Sequence, residues 1–307
     1  MSGIVSLLAS ATEIVDALGL GDRLVGISHE CDYPDTLLDR PRASSPRFDP
    51  EGLTSGEIDR IVRETMLEHG SVYAIDDALL AELDPDLIIT QAVCEVCAVP
   101  TGGVEKAVAE RRLDARIVSL DSHTIEEILA SIAQVGEAAH AREAARAAID
   151  GLRGRLDAVA AAVSGAPRPR VLAIEWLDPP FTPGHWVPEM IERAGGENLA
   201  GDAGRPSAQV EWSVLADLDP DVLVIMPCGY GLDAAEADAD AAAGRLAEVA
   251  PRAIVEGRSW VVDASAYFNR SGPRFVTGVE ILAGLFHPDR LSPPAGELAR
   301  RWSPDGS

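Results

Sequence analysis

LAELDPDLII spans Leu80–Ile89, and LADLDPDVLV spans Leu215–Val224. Each stretch begins as the end of a helix, turns through Asp-Pro-Asp and continues into an apolar run. Proline pushes the residue before it out of the right-handed helical region, so each helix stops at the turn. The runs that follow have the composition of strands buried on both faces of a parallel sheet. A second pair supports the first. EIVDALGLGD (Glu13–Asp22) resembles EMIERAGGEN (Glu189–Asn198), each an amphipathic helix closed by glycine, as helix C-termini often are. Two copies, and no more, predict two similar Rossmann-like α/β lobes with central parallel sheets, not a solenoid.

A long helical stretch separates the copies. Ser122 or Thr124 can cap it, with Glu127 completing a capping box, and Ile125, Ile128, Leu129, Ile132 and Val135 recur at helical spacing. After a break near His140, an alanine-rich helix is predicted over 142–163, about 33 Å long and enough to join one lobe to the other. GAPRPR (Gly165–Arg170) ends it, and VLAIEW opens the next strand. The expected organisation is an N-terminal lobe over 1–121, a helical linker over 122–165 and a C-terminal lobe over 166–290. A polar, loosely held tail over 291–307 completes it.

The length of 307 residues fits about two domains, and 47% apolar with 25% charged residues is the composition of a folded chain. Twenty-six basic residues face fifty acidic ones, for a net charge of −24, and Lys106 is the one lysine. Such a surface repels phosphate backbones and anionic lipid, which argues against nucleic-acid partners. The charge is equally the solubility device of a salt-adapted protein. The opening MSGIVSLLASATEIVDALG has no Lys or Arg before Arg23 and reads as a strand running into a helix, not as a secretory signal. The expectation is a cytoplasmic protein, or a periplasmic or extracellular one whose leader is missing. No run approaches a membrane span, and four cysteines make no disulfide framework in a chain this long.

Several segments resemble one family. SLLASATEIVDALGLGDRLVGISHECDYP (Ser6–Pro34) is similar to the opening of the periplasmic cobalamin-binding proteins that feed ABC importers. DPPFTPG (Asp178–Gly184), ERAGGENLAGD (Glu192–Asp202) and YFNRSGPR (Tyr267–Arg274) are similar to parts of their second lobe. The resemblance spans nearly the whole chain in the same order. It implies two α/β lobes joined by one rigid helix, little closure on binding, and a corrinoid such as cobalamin, or a similar metal chelate, in the cleft between the lobes. It implies an ABC importer as a possible partner; a monomer is expected.

Ligands of open α/β sheets sit beyond the carboxyl ends of the strands. That rule selects Ser10, Thr12, His29, Glu30, Gln91, Cys94 and Glu95 in the first lobe. In the second it selects Trp176, Phe181, His185, Trp186, Tyr230, Tyr267, Phe268, Arg270 and Arg274. Aromatic walls hold flat apolar ligands, and with only 5% aromatics in the chain, Trp176, Phe181, Trp186, Trp212, Tyr230, Tyr267 and Phe268 crowd near these loops. By the resemblance, Phe181, Tyr267, Arg270 and Arg274 match positions around the family's cleft. Glu30, Gln91 and Ser207 stand where the family has stacking aromatics. Ala78 and Ser213 stand where transport-linked members offer glutamates to the permease, with Asp77 and Glu211 nearby.

His29, Cys31, Cys94 and Cys97 have the chemistry of a Cys₃His site for zinc or another transition metal. The same residues read equally as reduced apolar fillers, or as direct contacts to a ligand or its metal. A metal- or thiol-dependent cytoplasmic enzyme built on that cluster is the alternative function. No Gly-x-Gly-x-x-Gly, Walker or Gly-x-Ser-x-Gly motif supports an enzyme. His123 reads as a helix-start residue, His185 as a cleft candidate near Glu175 and Asp178, and the acidic run Asp233–Asp240 as a solvated helix or loop.

Overall fold

The computed structural model describes residues 3–91, 101–292 and 295–304. The chain divides into two compact units. One comprises Met1–Leu53, Arg60–Ser122 and Glu126–Gly151; the other comprises Thr54–Asp59, His123–Ile125 and Leu152–Ser307. The first contains β1 (Ile4–Ser6), β2 (Leu24–Ile27), β3 (Ser44–Pro46), β4 (Tyr73–Ile75), β5 (Leu87–Thr90) and β6 (Arg116–Ser119). Four of these form a parallel sheet in the order β2-β1-β5-β6, and β3 pairs antiparallel with β4. Val5, Leu7, Leu80, Ile88, Val104 and Ala107 pack into one of its core clusters.

The second unit contains β7 (Arg170–Ile174), β8 (Trp176–Leu177), β9 (Pro180–Thr182), β10 (Glu197–Asn198), β11 (Ala208–Gln209), β12 (Val222–Ile225), β13 (Ser259–Val262) and β14 (Ala299–Arg301). Its main sheet runs β10-β7-β12-β13-β14, parallel except for β14, and β11-β9-β8 form a small antiparallel sheet. Leu172, Ile174, Leu223, Ile225 and Val261 are fully buried in its core. Both units are therefore α/β with parallel sheets, as the repeat predicts.

The repeat is duplicated down to its hydrogen bonds. Asp84 and Asp219, the first aspartates of the two turns, both adopt left-handed backbone, with φ of 41° and 42°. Aspartate tolerates that region better than most residues, and the proline that follows disfavours the right-handed alternative. The second aspartates then bind the neighbouring strand. Asp86 N–H donates to Gly3 O while Gly3 N–H donates to Asp86 Oδ2 at 2.7 Å. Asp221 N–H donates to Arg170 O while Arg170 N–H donates to Asp221 Oδ2 at 2.8 Å. The glycine-closed helices match as well: Leu20 N–H returns to Val15 O, and Gly196 N–H to Ile191 O. Gly19 and Gly195 take the positive φ that this closure needs, 67° and 84°.

A helix over Arg142–Val163 follows one over Ile125–Ala138, with left-handed His140 (φ 60°) between them. The division between the units falls after Gly151, inside the second of these helices. Ser122 does not cap the first: its hydroxyl lies 2.7 Å from that of Ser131, and Ile125 N–H donates instead to Glu189 Oε2 at 2.9 Å. A reciprocal capping box not anticipated in the sequence joins Thr54 and Glu57 at the start of the helix Ser55–His69.

Of two expectations about polar segments, one fails. The tail is not loose: β14 pairs with β13, and Trp302 is 2% exposed. The run Asp233–Asp240 is the solvated helix expected, within Leu232–Ala241 and with Asp233 90% exposed, but it also receives the tail. Arg300 reaches Asp233 at 2.7 Å and Glu236 at 2.9 Å, and Trp302 Nε1–H donates to Asp240 Oδ1 at 2.9 Å. Burying so large an apolar side chain holds the segment in place despite the polar residues around it. No described helix is long and apolar enough to cross a membrane.

Candidate functional site

Parallel strands bring their carboxyl ends to one edge, so each unit gathers its strand-end loops there. In the first unit, Ser10 and Thr12 follow β1 but are 1% and 0% exposed. Thr12 Oγ1 donates to Ser6 Oγ at 2.9 Å and lies 3.1 Å from Cys31 Sγ. Both positions are structural, buried beneath the loops expected to hold a ligand. The loop after β2 is tied by Arg42, whose Nη1 donates to the carbonyls of Ser28, His29 and Cys31. His29 lies on Tyr73, ring centroids 4.7 Å apart, with Nδ1 2.8 Å from Ser44 Oγ and Nε2 3.3 Å from Glu30 Oε1. Tyr73 OH donates to Glu30 at 3.3 Å, so Glu30 carries a polar edge in place of a stacking ring. Gln91 is 7% exposed.

The expected metal set is not assembled among the described residues. Cys94, Glu95 and Cys97 lie outside them, Cys31 is buried against Thr12, and no group of three or more His, Cys, Asp or Glu in the described part could hold an ion.

The second unit presents aromatic side chains at its strand ends. Trp176 and Phe181 are opposite each other in the β8–β9 hairpin, and Gln209 on β11 is opposite Phe181, so the three share one face. Tyr230, in the loop after β12, meets Trp176 edge-on at 5.3 Å. Burial and the neighbouring Asp238 push its phenol up to about 12, so it is a neutral hydrogen-bonding group at physiological pH. Tyr267, after β13, carries the Arg274 guanidinium over its ring at 5.6 Å. Arg270 donates to Ser265 Oγ at 3.3 Å. Asn269, which the sequence does not single out, accepts from Gly229 N–H at 3.1 Å and ties the loops after β12 and β13 together. Trp186 and Phe268 are corrections: they are 8% and 0% exposed, and Trp186 Nε1–H donates to Phe268 O at 2.8 Å. They are core.

Glu175, directly after β7, is the other feature of this edge. Ser207 Oγ lies 2.9 Å from both carboxyl oxygens, and Gly184 N–H donates to the same group. Burial nevertheless dominates and pushes the carboxyl up to about 7. Ser207 occupies the place where the resemblance implies a stacking tryptophan, so an aromatic wall is replaced by a half-protonated carboxyl. Gly184 permits the arrangement because a Cβ there would collide with the backbone of Arg205, Pro206 and Ser207. His185 follows with φ 52°; its Nδ1 lies 3.2 Å from Nδ1 of His123. His123 is thus more than a helix-start residue. Burial, and then the His123 ring, hold His185 below the usual imidazole range.

Ala78 and Ser213 are exposed and occupy equivalent positions in the two copies of the repeat. Asp77 is engaged by Arg111 at 2.8 Å, while Glu211 is exposed.

Two α/β units of duplicated design, with polar and aromatic groups collected at the strand ends, define a solute-binding protein. The chain belongs to the periplasmic binding protein family, whose model matches residues 4–248. It is 26% identical over 280 residues to the vitamin B12-binding protein of Vibrio cholerae, covering 90% of this chain and 86% of that one. It is 25% identical over 297 residues to the cobalamin-binding protein of Halobacterium salinarum, covering 92% and 69%. Its fold is similar to a periplasmic heme-binding protein of Pseudomonas aeruginosa, with TM-score 0.70, 24% identity and 95% and 96% of the two chains covered. It is also similar to the crystal structure of the Vibrio cholerae vitamin B12-binding protein, with TM-score 0.67, 24% identity and 94% and 97% covered. The enzyme alternative gives way to this assignment, which is to a family of binding proteins.

Proposed function

We propose that this protein captures a corrinoid, cobalamin or a close relative, as the substrate-binding component of an ABC importer. The strand-end loops of the second unit supply aromatic and polar contacts. The observation that carries the reading is the part-buried group Trp176, Phe181 and Tyr230, together with the Tyr267–Arg274 pair that follows β13. Flat macrocycles are held by such rings, and a guanidinium and phenol hydroxyls give the orientation that a purely apolar wall lacks. The names of the Vibrio and Halobacterium relatives support a corrinoid. The polar substitutions at Glu30 and Ser207 suit a ligand fringed with amide donors, such as the carboxamide arms of a corrin, better than a bare porphyrin face. The test is titration with cyanocobalamin, followed by tryptophan quenching, with hemin in parallel. Saturable one-to-one quenching by cobalamin, weakened about tenfold by Trp176→Ala, is expected. Tight binding of hemin without cobalamin would overturn the choice of ligand.

A further inference from the structure

Tyr230, whose ring meets Trp176, stands on backbone that cannot hold it in place unaided. Gly229 and Gly231 flank it, and Gly229 is left-handed, with φ 79°. Glycine carries no side chain to restrict its backbone, so a ring between two of them stays where other bonds keep it. Two such bonds come from before the ring: Tyr230 N–H donates to Pro227 O at 3.0 Å, and Cys228 N–H to Glu175 O at 2.9 Å. Two more come from the loop after β13. Ser265 N–H donates to Tyr230 O at 3.1 Å, and Gly229 N–H donates to Asn269 Oδ1 at 3.1 Å. Of these four bonds, the one to Asn269 alone is made by a side chain, so there alone the residue type decides whether it exists. Asn269 is in turn a fixed point. Its N–H donates to Ala264 O at 3.0 Å, closing the short helix Ala264–Tyr267, which Asp263 caps by accepting from Ala266 N–H at 2.9 Å. Phe268, the residue before it, is fully buried, and its carbonyl accepts from Trp186 Nε1–H at 2.8 Å. A side chain rooted in the core thus ends on the glycine-flanked stretch that carries the ring.

We propose that Asn269 is a positioning residue for cargo binding: it holds Gly229, and through it Tyr230, at the edge where that ring meets Trp176. It does so without touching the cargo. The inference rests on the proposed function, which makes Trp176 and Tyr230 a wall for the ligand. It adds that the wall is set from the loop after β13, the loop that also carries the Tyr267–Arg274 pair. A ring set in place beforehand gives up less freedom on binding. The affinity gained is that of about one hydrogen bond, roughly threefold to tenfold.

The test compares, in the full chain, Asn269→Leu, which removes the acceptor, with Asn269→Asp, which keeps it. Its first readout needs no ligand. Of the four tyrosine ring signals in a sample labelled with carbon-13 tyrosine, that of Tyr230 is the one missing in Tyr230→Phe, and it feels the ring current of Trp176. Asn269→Leu is expected to move that signal and leave those of Tyr33 and Tyr73 in place, whereas Asn269→Asp leaves all three. The second readout is titration with cyanocobalamin, with hemin in parallel. Asn269→Leu is expected to weaken binding about threefold to tenfold, and Asn269→Asp to bind as the native protein does. In a Tyr230→Ala background Asn269→Leu is expected to cost nothing further. Should Asn269→Leu fail to fold, Asn269→Ala, which only shortens the side chain, takes its place. A Tyr230 signal unmoved by the loss of the acceptor overturns the inference and leaves the proposed function standing. So does an equal loss of affinity with and without the Tyr230 ring. A loss in Asn269→Asp as large as in Asn269→Leu also overturns it, since the amide itself would then be meeting the cargo. A native protein that binds neither ligand overturns both the proposed function and the role of Asn269.

Discussion

At the residue scale, Glu175 is where local physics and function meet. A carboxyl pushed up to about 7 by burial is held protonated in the folded state where the unfolded chain would ionise. Folding therefore takes up a proton between the ordinary glutamate value and about 7. This contribution to stability is fully present at acid pH and is lost as pH rises through the folded value. The displacement corresponds to about 3 kcal/mol. Glu175→Gln is accordingly expected to flatten the fall in stability between pH 5 and 8, measured by urea unfolding at the two pH values. An unchanged fall would show that Glu175 is not the group responsible. Ser207→Ala acts in the opposite sense, removing a bond that favours the carboxylate and raising the Glu175 value further, which a carboxyl carbon NMR titration reads directly. Gly184→Ala is expected to disrupt the cradle outright, since the atoms in its way are backbone and cannot step aside.

At the scale of elements, the Asp-Pro-Asp turns are small staples that set each central strand against its neighbour. Asp86→Ala and Asp221→Ala each release a strand-start N–H, at a cost of about 1–2 kcal/mol. Asp221→Ala is expected to cost more, because its carboxylate is also held by Arg252. Thermal unfolding of the two variants side by side checks both the sign and the order. β14 is the less obvious staple. Trp302→Ala is expected to cost about 3–5 kcal/mol. These elements also show what the sequence could convey. The repeat was legible because its turn chemistry is local: aspartate, proline and a glycine closure dictate backbone angles without reference to the rest of the molecule. The helix over 142–163 was legible for the same reason. The tail was not, because its order comes from Trp302 and Arg300 meeting a helix some sixty residues away. A polar composition gives no sign of such a partner.

At the scale of the whole molecule, strand-end positions were legible but side-chain direction was not. Trp176 and Trp186 sit in one motif, yet the first faces Tyr230 at the edge and the second donates into the core. Ser10 and Thr12 follow the first strand as a site residue would, but lie inside the turn of the helix Ala9–Ala17. Which rotation an element takes depends on what it packs against, and spacing alone does not record that. The His123–His185 pair was out of reach altogether, because it joins residues on either side of the long helix. What does carry through every scale is duplication. Two sheets with matched turns and matched helix closures present two sets of strand-end loops, and the second set carries the rings, the guanidinium and the desolvated carboxyl on which the proposed ligand class rests. The most direct test is calorimetric titration of the purified full chain with cobalamin. One saturable site per chain, weakened by Trp176→Ala, is expected; absence of any heat or saturation, with the protein folded, would rule out the proposed ligand.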